Sequence, residues 1–278
     1  MSFASVLASR AILSSAYAAS MKGATRHRRL PTPAGLKTVG MNPACGIYII
    51  NLDRSPERLE MQQQQLDRLG LSFERVEAVD GSTLDLPHPA LDEAGFRRRH
   101  GKTINPNELG CTLSHIRAIE TFAKSQHDYA VILEDDADLS DAFESVVNAT
   151  IEQSRRWDLV KLNRRHSGAP VMIAPLTPNH RLVVYLTKQS GGVGYRINRK
   201  AAEALLKGLL PMRIPYDHEF DRGHAHGLTV LGVVPPVVKD NLKIGSTIGY
   251  GYAGDNPSGK PLIKARKLPR LQRIPAYL

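Results

Sequence analysis

From residue 45 onward, short unbroken apolar runs alternate with longer stretches whose apolar residues recur at helical spacing. Gly46–Leu52 (Gly-Ile-Tyr-Ile-Ile-Asn-Leu) is apolar and β-branched, which predicts a first strand. Ser55-Pro56-Glu57 then offers a capping side chain, a first-turn proline and a carboxylate for the helix dipole, so a helix is expected to Leu69, with Gly70 ending it. Phe73–Val79 predicts a second strand closed by the turn dipeptide Asp80-Gly81. Ser82–Asn107 is polar, carries Arg97-Arg98-Arg99-His100, shows no clear period and reads as a long loop. Glu108 opens a helix to about Lys124, with Leu113, Ile116 and Ile119 as its apolar stripe. Beyond it the pattern predicts a strand at Tyr129–Leu133, a helix at Asp141–Gln153 capped by Ser140, and a strand at Trp157–Leu162. A strand pair follows at Val171–Ala174 and Leu182–Thr187, then a short strand fed by Gly191-Gly192-Val193-Gly194 into a helix capped by Asn198, and a last strand at Leu228–Val234. Strands alternating with helices imply an α/β protein around a mostly parallel, twisted sheet.

The run Tyr129-Ala130-Val131-Ile132-Leu133 has no alternation, as expected of a strand covered on both faces, and it ends abruptly in Glu134-Asp135-Asp136. In open α/β sheets ligands gather beyond the carboxyl ends of the strands. Adjacent carboxylates repel one another, and a divalent cation or a set of donors there would relieve the repulsion. The bland alternative is a solvated acidic turn. In an extended segment Glu134 and Asp136 project to one side and Asp135 to the other. Asn51, Asp53 and Arg54 follow the first strand, where a nucleotide or phosphate could be gripped. His115 lies at helical spacing from Cys111, Ala118 and Phe122, so it is either a packed core histidine or a donor facing the site. The glycine segment is neither a P-loop nor a dinucleotide fingerprint, and His218, His224 and His226 match no standard zinc spacing.

Charge changes the picture only at the ends. The formal net charge is +10, yet no acidic residue precedes Asp53, and the tail after Gly259 holds six further Lys or Arg. The middle is near neutral, which argues against a basic nucleic-acid-binding core. The two basic ends are either solvated tails or a means of peripheral contact with the anionic inner face of a membrane, consistent with a cytoplasmic protein. Cys45 and Cys111 are the two cysteines and have no paired spacing, so neither a disulfide framework nor a thiolate zinc site is indicated, and a reducing compartment fits. Residues 1–44 read as a basic, targeting-like arm or an over-extended translation start, residues 45–240 as the folded domain and residues 241–278 as a basic tail.

Taken in order, Ile49-Ile50-Asn51-Leu52-Asp53-Arg54 with Glu57-Arg58, Ala78-Val79-Asp80-Gly81, Glu108-Leu109-Gly110-Cys111 with Leu113-Ser114-His115, Leu133-Glu134-Asp135-Asp136, Gly194-Tyr195 with Arg199-Lys200-Ala201, and Pro215-Tyr216-Asp217 form a set that resembles the family 25 glycosyltransferases. The resemblance implies a GT-A-like α/β/α sandwich, a UDP-sugar donor, Mn2+ or Mg2+ held by the acidic motif, and transfer of a hexose, galactose favoured, with inversion. The acceptor it implies is a lipopolysaccharide or other glycan, free or lipid-linked, of the cell envelope. On that basis Asp136 and Glu134 are metal-ligand candidates, and Asp217, with Glu219 second, is the candidate base. Asn51, Arg54 and Asp80 fall to the nucleotide, Glu134 and Asp135 to ribose, water or sugar, and His115, Tyr195 and Lys200 to donor or acceptor contacts. Two other classes stay open at this point: a glycoside hydrolase working through paired carboxylates, and a non-catalytic carbohydrate-binding or membrane-peripheral scaffold.

Overall fold

The structure is a computed structural model that describes residues 41–166, 168–241 and 244. The expectations for the basic arm and tail lie outside the described residues. Ten strands and six α-helices follow the order β1 (Cys45–Asn51), α1 (Pro56–Arg68), β2 (Glu74–Glu77), α2 (Glu93–His100), α3 (Pro106–Lys124), β3 (Tyr129–Glu134), β4 (Ala137–Leu139), α4 (Phe143–Glu152), β5 (Leu159–Lys161), β6 (Pro170–Pro175), β7 (Arg181–Tyr185), β8 (Gly194–Asn198), α5 (Arg199–Gly208), α6 (Tyr216–Phe220), β9 (Val230–Val234) and β10 (Val238–Asp240) among the described residues.

Eight strands form one sheet in the order β2-β1-β3-β8-β5-β9-β7-β6. β1 is parallel to β2 and β3, and β5 to β9, whereas β8 runs against both β3 and β5, and β7 against both β9 and β6. Six of the eight strands therefore point the same way, and their carboxyl ends share one edge. Alternate residues of β1 and β3 enter two separate cores. Ile47, Ile49, Val131 and Leu133 meet α1 and α4 through Leu66, Phe143 and Val147. Tyr48, Ile50, Ala130 and Ile132 meet α3 and α5 through Ile116, Phe122 and Ala201. Burial on both faces explains why these strands lack alternation, and it makes an α/β/α sandwich.

Three departures from the sequence pattern concern the site. Ser82–Asn107 is not a continuous loop: α2 starts on Asp92, whose carboxylate accepts from Gly95 N at 2.8 Å, and ends on Gly101 in the left-handed region (φ 76°). The chain after Val234 forms a further strand, β10, antiparallel to β4 and pairing Asp240 with Ala137. Neither Ser55 nor Ser140 caps with its hydroxyl. The Ser55 carbonyl instead accepts from Asn51 Nδ2 (2.9 Å), and the helix after Ser140 begins at Phe143 behind Ala142. Asn198 caps as expected, accepting from Ala201 N at 2.8 Å.

Candidate active site

β3 delivers Glu134, Asp135 and Asp136 to the sheet edge shared by the six co-directed strands, and α1 holds them there. Arg58, Gln62 and Leu66 recur every fourth residue, so one face of α1 is buried against this turn. Arg58 donates to Asp135 Oδ1 (3.0 Å) and Asn51 Nδ2 to Asp135 Oδ2 (2.8 Å). Gln62 donates to the carbonyls of Asp135 (3.1 Å) and Ala137 (2.7 Å), while Gln65 donates to Ala137 O (2.9 Å) and accepts from Leu139 N (2.8 Å). The glutamine run is therefore a clamp on the acidic turn.

The three carboxylates face different surroundings. Asp135 is consumed by Arg58 and Asn51 on the α1 side. Glu134 accepts from the Tyr216 hydroxyl and lies 3.5 Å from His115 Nε2. Burial opposes its ionisation, but His115, Tyr216 and Arg165 outweigh that and hold its carboxyl below the usual range. Asp136 lacks such help: its Oδ1 is buried without a hydrogen-bond partner. Burial, then the charges of Glu134 and Asp135, push its carboxyl up to about 7. The β4–β10 pairing adds Asp240 nearby, and Asn241 N donates to Asp136 O at 2.9 Å.

Beneath Glu134 a polar stack is fully enclosed. His115 Nδ1 lies 3.0 Å from the Tyr195 hydroxyl, and its ring stacks on Tyr216 at a centroid distance of 3.7 Å and an interplanar angle of 22°. His115 is thus both buried and turned toward the site. Beside it, Ile50, Arg54, Ala78, Asp80, Gly81, Asn107, Cys111, Ser114, His115, Glu134 and Asp135 line an open cleft of about 510 Å³ including its mouth. Arg54 and Asp80 form an ion pair there. The Asp80-Gly81 turn seats on α3 because Gly81 and Gly110 touch without side chains, and Ser114 Oγ accepts from Val79 N at 2.8 Å.

Asp217 comes from a separate wall, outside the lining of that cleft. It opens α6 next to Tyr216 and accepts from Gly191 N at 2.8 Å. Burial opposes its ionisation, but His218, the Gly191 N–H, Lys161 and Arg165 together hold it below the usual carboxylate range. The buried Lys161–Asp221 pair supports this wall, with Asp221 Oδ2 accepting from Gln189 N (3.0 Å) and Ser190 N (2.8 Å). Gly192 passes so close to the Tyr216 hydroxyl that a Cβ there would collide with it.

The fold thus brings together Glu134, Asp135, Asp136, His115 and Tyr195, with Arg54 and Asp80 at the cleft and Asp217 outside its lining but within the field of Arg165 and Cys111. Asn51 is at the site, but its side chain is spent on Asp135, Ser55 and Arg75 (3.1 Å), so it positions the turn rather than facing the cleft. Two candidates lie elsewhere. Lys200 is at the opposite edge, paired with Asp158 at 2.8 Å, because β8 runs against β3 and its far end meets Tyr129 rather than Glu134. Glu219 turns away toward Arg222 (3.2 Å) and His226 (3.3 Å). Sequence reasoning gave no role to Arg58, Gln62, Gln65, Tyr216 or Arg165. Arg165, which hydrogen-bonds Asp240 at 3.2 and 3.3 Å and lies within the field of Glu134 and Asp217, had one signal: it follows the carboxyl end of a strand.

Residues 44–220 match the family model described as glycosyltransferase family 25 (LPS biosynthesis protein). The chain belongs to glycosyltransferase family 25. It is 29% identical over 182 residues to a glycosyltransferase 25 family member of Drosophila melanogaster, covering 62% of this chain and 29% of the relative. It is 25% identical over 171 residues to procollagen galactosyltransferase 1-B of Xenopus laevis, covering 58% and 28%. A Mus musculus protein named inactive glycosyltransferase 25 family member 3 is 31% identical over 128 residues, covering 43% and 22%. The chain thus matches less than a third of the length of each of these relatives, and one family member bears a name denying it activity, so the chemistry must be argued from the site.

Proposed function

We propose that this chain is a metal-assisted, inverting hexosyltransferase that moves galactose from UDP-galactose to a hydroxyl of a lipopolysaccharide or other cell-envelope glycan, working at the cytoplasmic face of the membrane. The observation that carries the reading is Asp136: a half-buried carboxylate with one buried, orphaned oxygen beside Glu134, at the strand end where the family's acidic motif falls. Such an oxygen is costly to leave unpaired, and a cation is the partner that its crowded negative field favours. Asp136 with Glu134 would hold Mn2+ or Mg2+, for which oxygen donors are suited. When bound, such an ion supplies Lewis-acid stabilisation of the negative charge on a departing diphosphate.

The remaining roles fall to the protein's own groups. The nucleoside falls to the open cleft lined by Arg54, Asp80 and Asn107, and Arg165 offers a further cation to the diphosphate. His115, locked by Tyr195 and Tyr216, fixes the orientation of Glu134. Asp217, held ionised at neutral pH, is assigned to take the proton of the acceptor hydroxyl as that proton becomes acidic during transfer. Galactose is supported by the printed name of the frog relative, and a cell-envelope acceptor by the description of the family model.

The test is transfer from UDP-[14C]galactose to a glycan acceptor panel. The wild-type chain should transfer in the presence of Mn2+, Asp136→Asn should lose transfer while keeping its circular dichroism spectrum, and Asp217→Asn should lose about 10² to 10⁴ in rate. Full activity of Asp136→Asn at saturating Mn2+ would remove the metal assignment. Sugar release from a glycan without any nucleotide donor would favour hydrolysis instead.

A further inference from the structure

Cys111 and His115 stand one turn apart on α3, and both line the cleft. With Glu134 they form a trio whose ligand atoms all lie within 4.8 Å of one another. The histidine supplies a second, independent sign. It is fully buried, its Nε2 has no hydrogen-bond partner, and that atom faces Glu134 Oε1 at 3.5 Å. Its other nitrogen is engaged with the Tyr195 hydroxyl. Metal binding selects the tautomer with the ring proton on Nδ1, donated to the tyrosine oxygen, and frees the Nε2 lone pair, which in the metal-free site faces the Glu134 carboxylate. Metal-binding histidines are commonly oriented through the far nitrogen in this way.

The spacing fits a small tetrahedral ion. Ligand atoms around tetrahedral zinc sit about 3.5 Å apart, the separation that His115 and Glu134 already have, and the sulfur, within 4.8 Å of both, has at most about 1.3 Å to close. The donor set is different in kind from the oxygens of Asp136. Thiolate and imidazole favour Zn2+ or Co2+ over Mn2+ or Mg2+. Burial, and then the negative field of Glu134, Asp217 and Asp136, keeps the isolated thiol protonated, and the same field attracts a dication.

We propose that Cys111, His115 and Glu134 form a binding site for a thiophilic divalent cation of the zinc class, with its fourth ligand position open to the cleft, and that occupation blocks the cleft. Binding releases the Cys111 proton to solvent as the metal–sulfur bond forms. The blocking clause rests on the donor cleft proposed above, whereas the binding clause stands without it.

Co2+ is the probe, titrated into the full chain and read by absorption. Wild type should show a saturable near-ultraviolet thiolate-to-cobalt charge-transfer band that Zn2+ displaces. Cys45→Ser should keep the band, Cys111→Ser should lose it, and His115→Gln should weaken Co2+ affinity by at least about tenfold, each variant being checked for folding by circular dichroism. The idea is overturned if wild type gives no such band, if the band survives Cys111→Ser or disappears with Cys45→Ser, or if Asp136→Asn removes it as completely as Cys111→Ser does, since one site would then explain both. In the transfer assay with excess Mn2+, Zn2+ should inhibit wild type at least about tenfold more strongly than Cys111→Ser. A cobalt band accompanied by equal inhibition of both proteins would overturn the blocking clause alone. A chain inactive in transfer leaves the spectroscopic test intact.

Discussion

Asp136 shows how a single residue can be arranged against stability. Its carboxyl titrates at about 7, pushed up by burial and by Glu134 and Asp135, far above the ordinary value of 3.8. The native state therefore binds a proton that the unfolded chain has already released. Stability falls as pH rises from about 4 to about 7, and the loss is complete above 7. Two outcomes follow. Asp136→Asn should melt at a higher temperature than wild type at pH 8 in the absence of metal, and at about the same temperature at pH 4, a difference measurable by calorimetry. Because a cation must displace that proton, Mn2+ affinity by isothermal titration should rise about tenfold per pH unit up to 7 and flatten above it. Burial raises the Asp135 carboxyl as well, but Asn51 and Arg58 hydrogen-bond its charged form and offset part of that cost. Arg58→Met would strand its buried carboxylate and should cost about 3 kcal/mol in urea unfolding, a loss that Mn2+ does not restore.

Among the elements, α1 and α3 form the supports of the site, and each was legible to a different degree. The amphipathic stripe of α3 is plain in the sequence, but the pattern places its start at Glu108, two residues late: the capping box of Asn105 and Glu108 and the first-turn Pro106 set the true beginning. Helix α1 was legible as a helix, but its function was not, because Gln62 and Gln65 acquire meaning only when the β3–β4 turn lies across them. Helix α2 was hidden for a different reason. Its eight residues bury just Gly95 and Phe96, too few to establish a period, and the informative signals were the end caps Asp92 and Gly101. A test at this scale uses Gly110. A methyl group there would press on the backbone of Gly81, so Gly110→Ala should cost about 1–3 kcal/mol. It should also weaken UDP binding measured by thermal shift more than Arg58→Met does, since it displaces the Asp80-Gly81 turn from the cleft.

For the molecule as a whole, the order of the eight strands of the main sheet along the chain was readable, whereas β4, β10 and the arrangement within the sheet were not. The sandwich was legible because unbroken apolar runs such as Val131-Ile132-Leu133 must be covered on both faces. The antiparallel insertion of β8 between β3 and β5 has no signature in local pattern, and it decided the fate of several site candidates. It brought Tyr195 under His115 and carried Lys200 to the far edge. Distance along the chain says nothing about either. Glu219 was misjudged on a smaller scale, because a five-residue helix turns its second carboxylate toward Arg222.

The reversed strand also divides the site by ancestry in the chain. The wall of the cleft, with the clamp and the acidic turn, is built by residues 45–139, whereas Tyr216, which donates to Glu134, and its neighbour Asp217 come from residues 187–222, whose entry into the sheet is fixed by the bond from Glu134 N to Val193 O (2.9 Å) and the buried Lys161–Asp221 pair. Each is a contiguous cassette. A segment carrying a different 187–222 could be exchanged while the 45–139 wall, with the acidic turn, stays untouched, provided that Gly192 and Asp221 are retained. Selectivity on one side of the site is then free to diversify without re-solving the chemistry on the other.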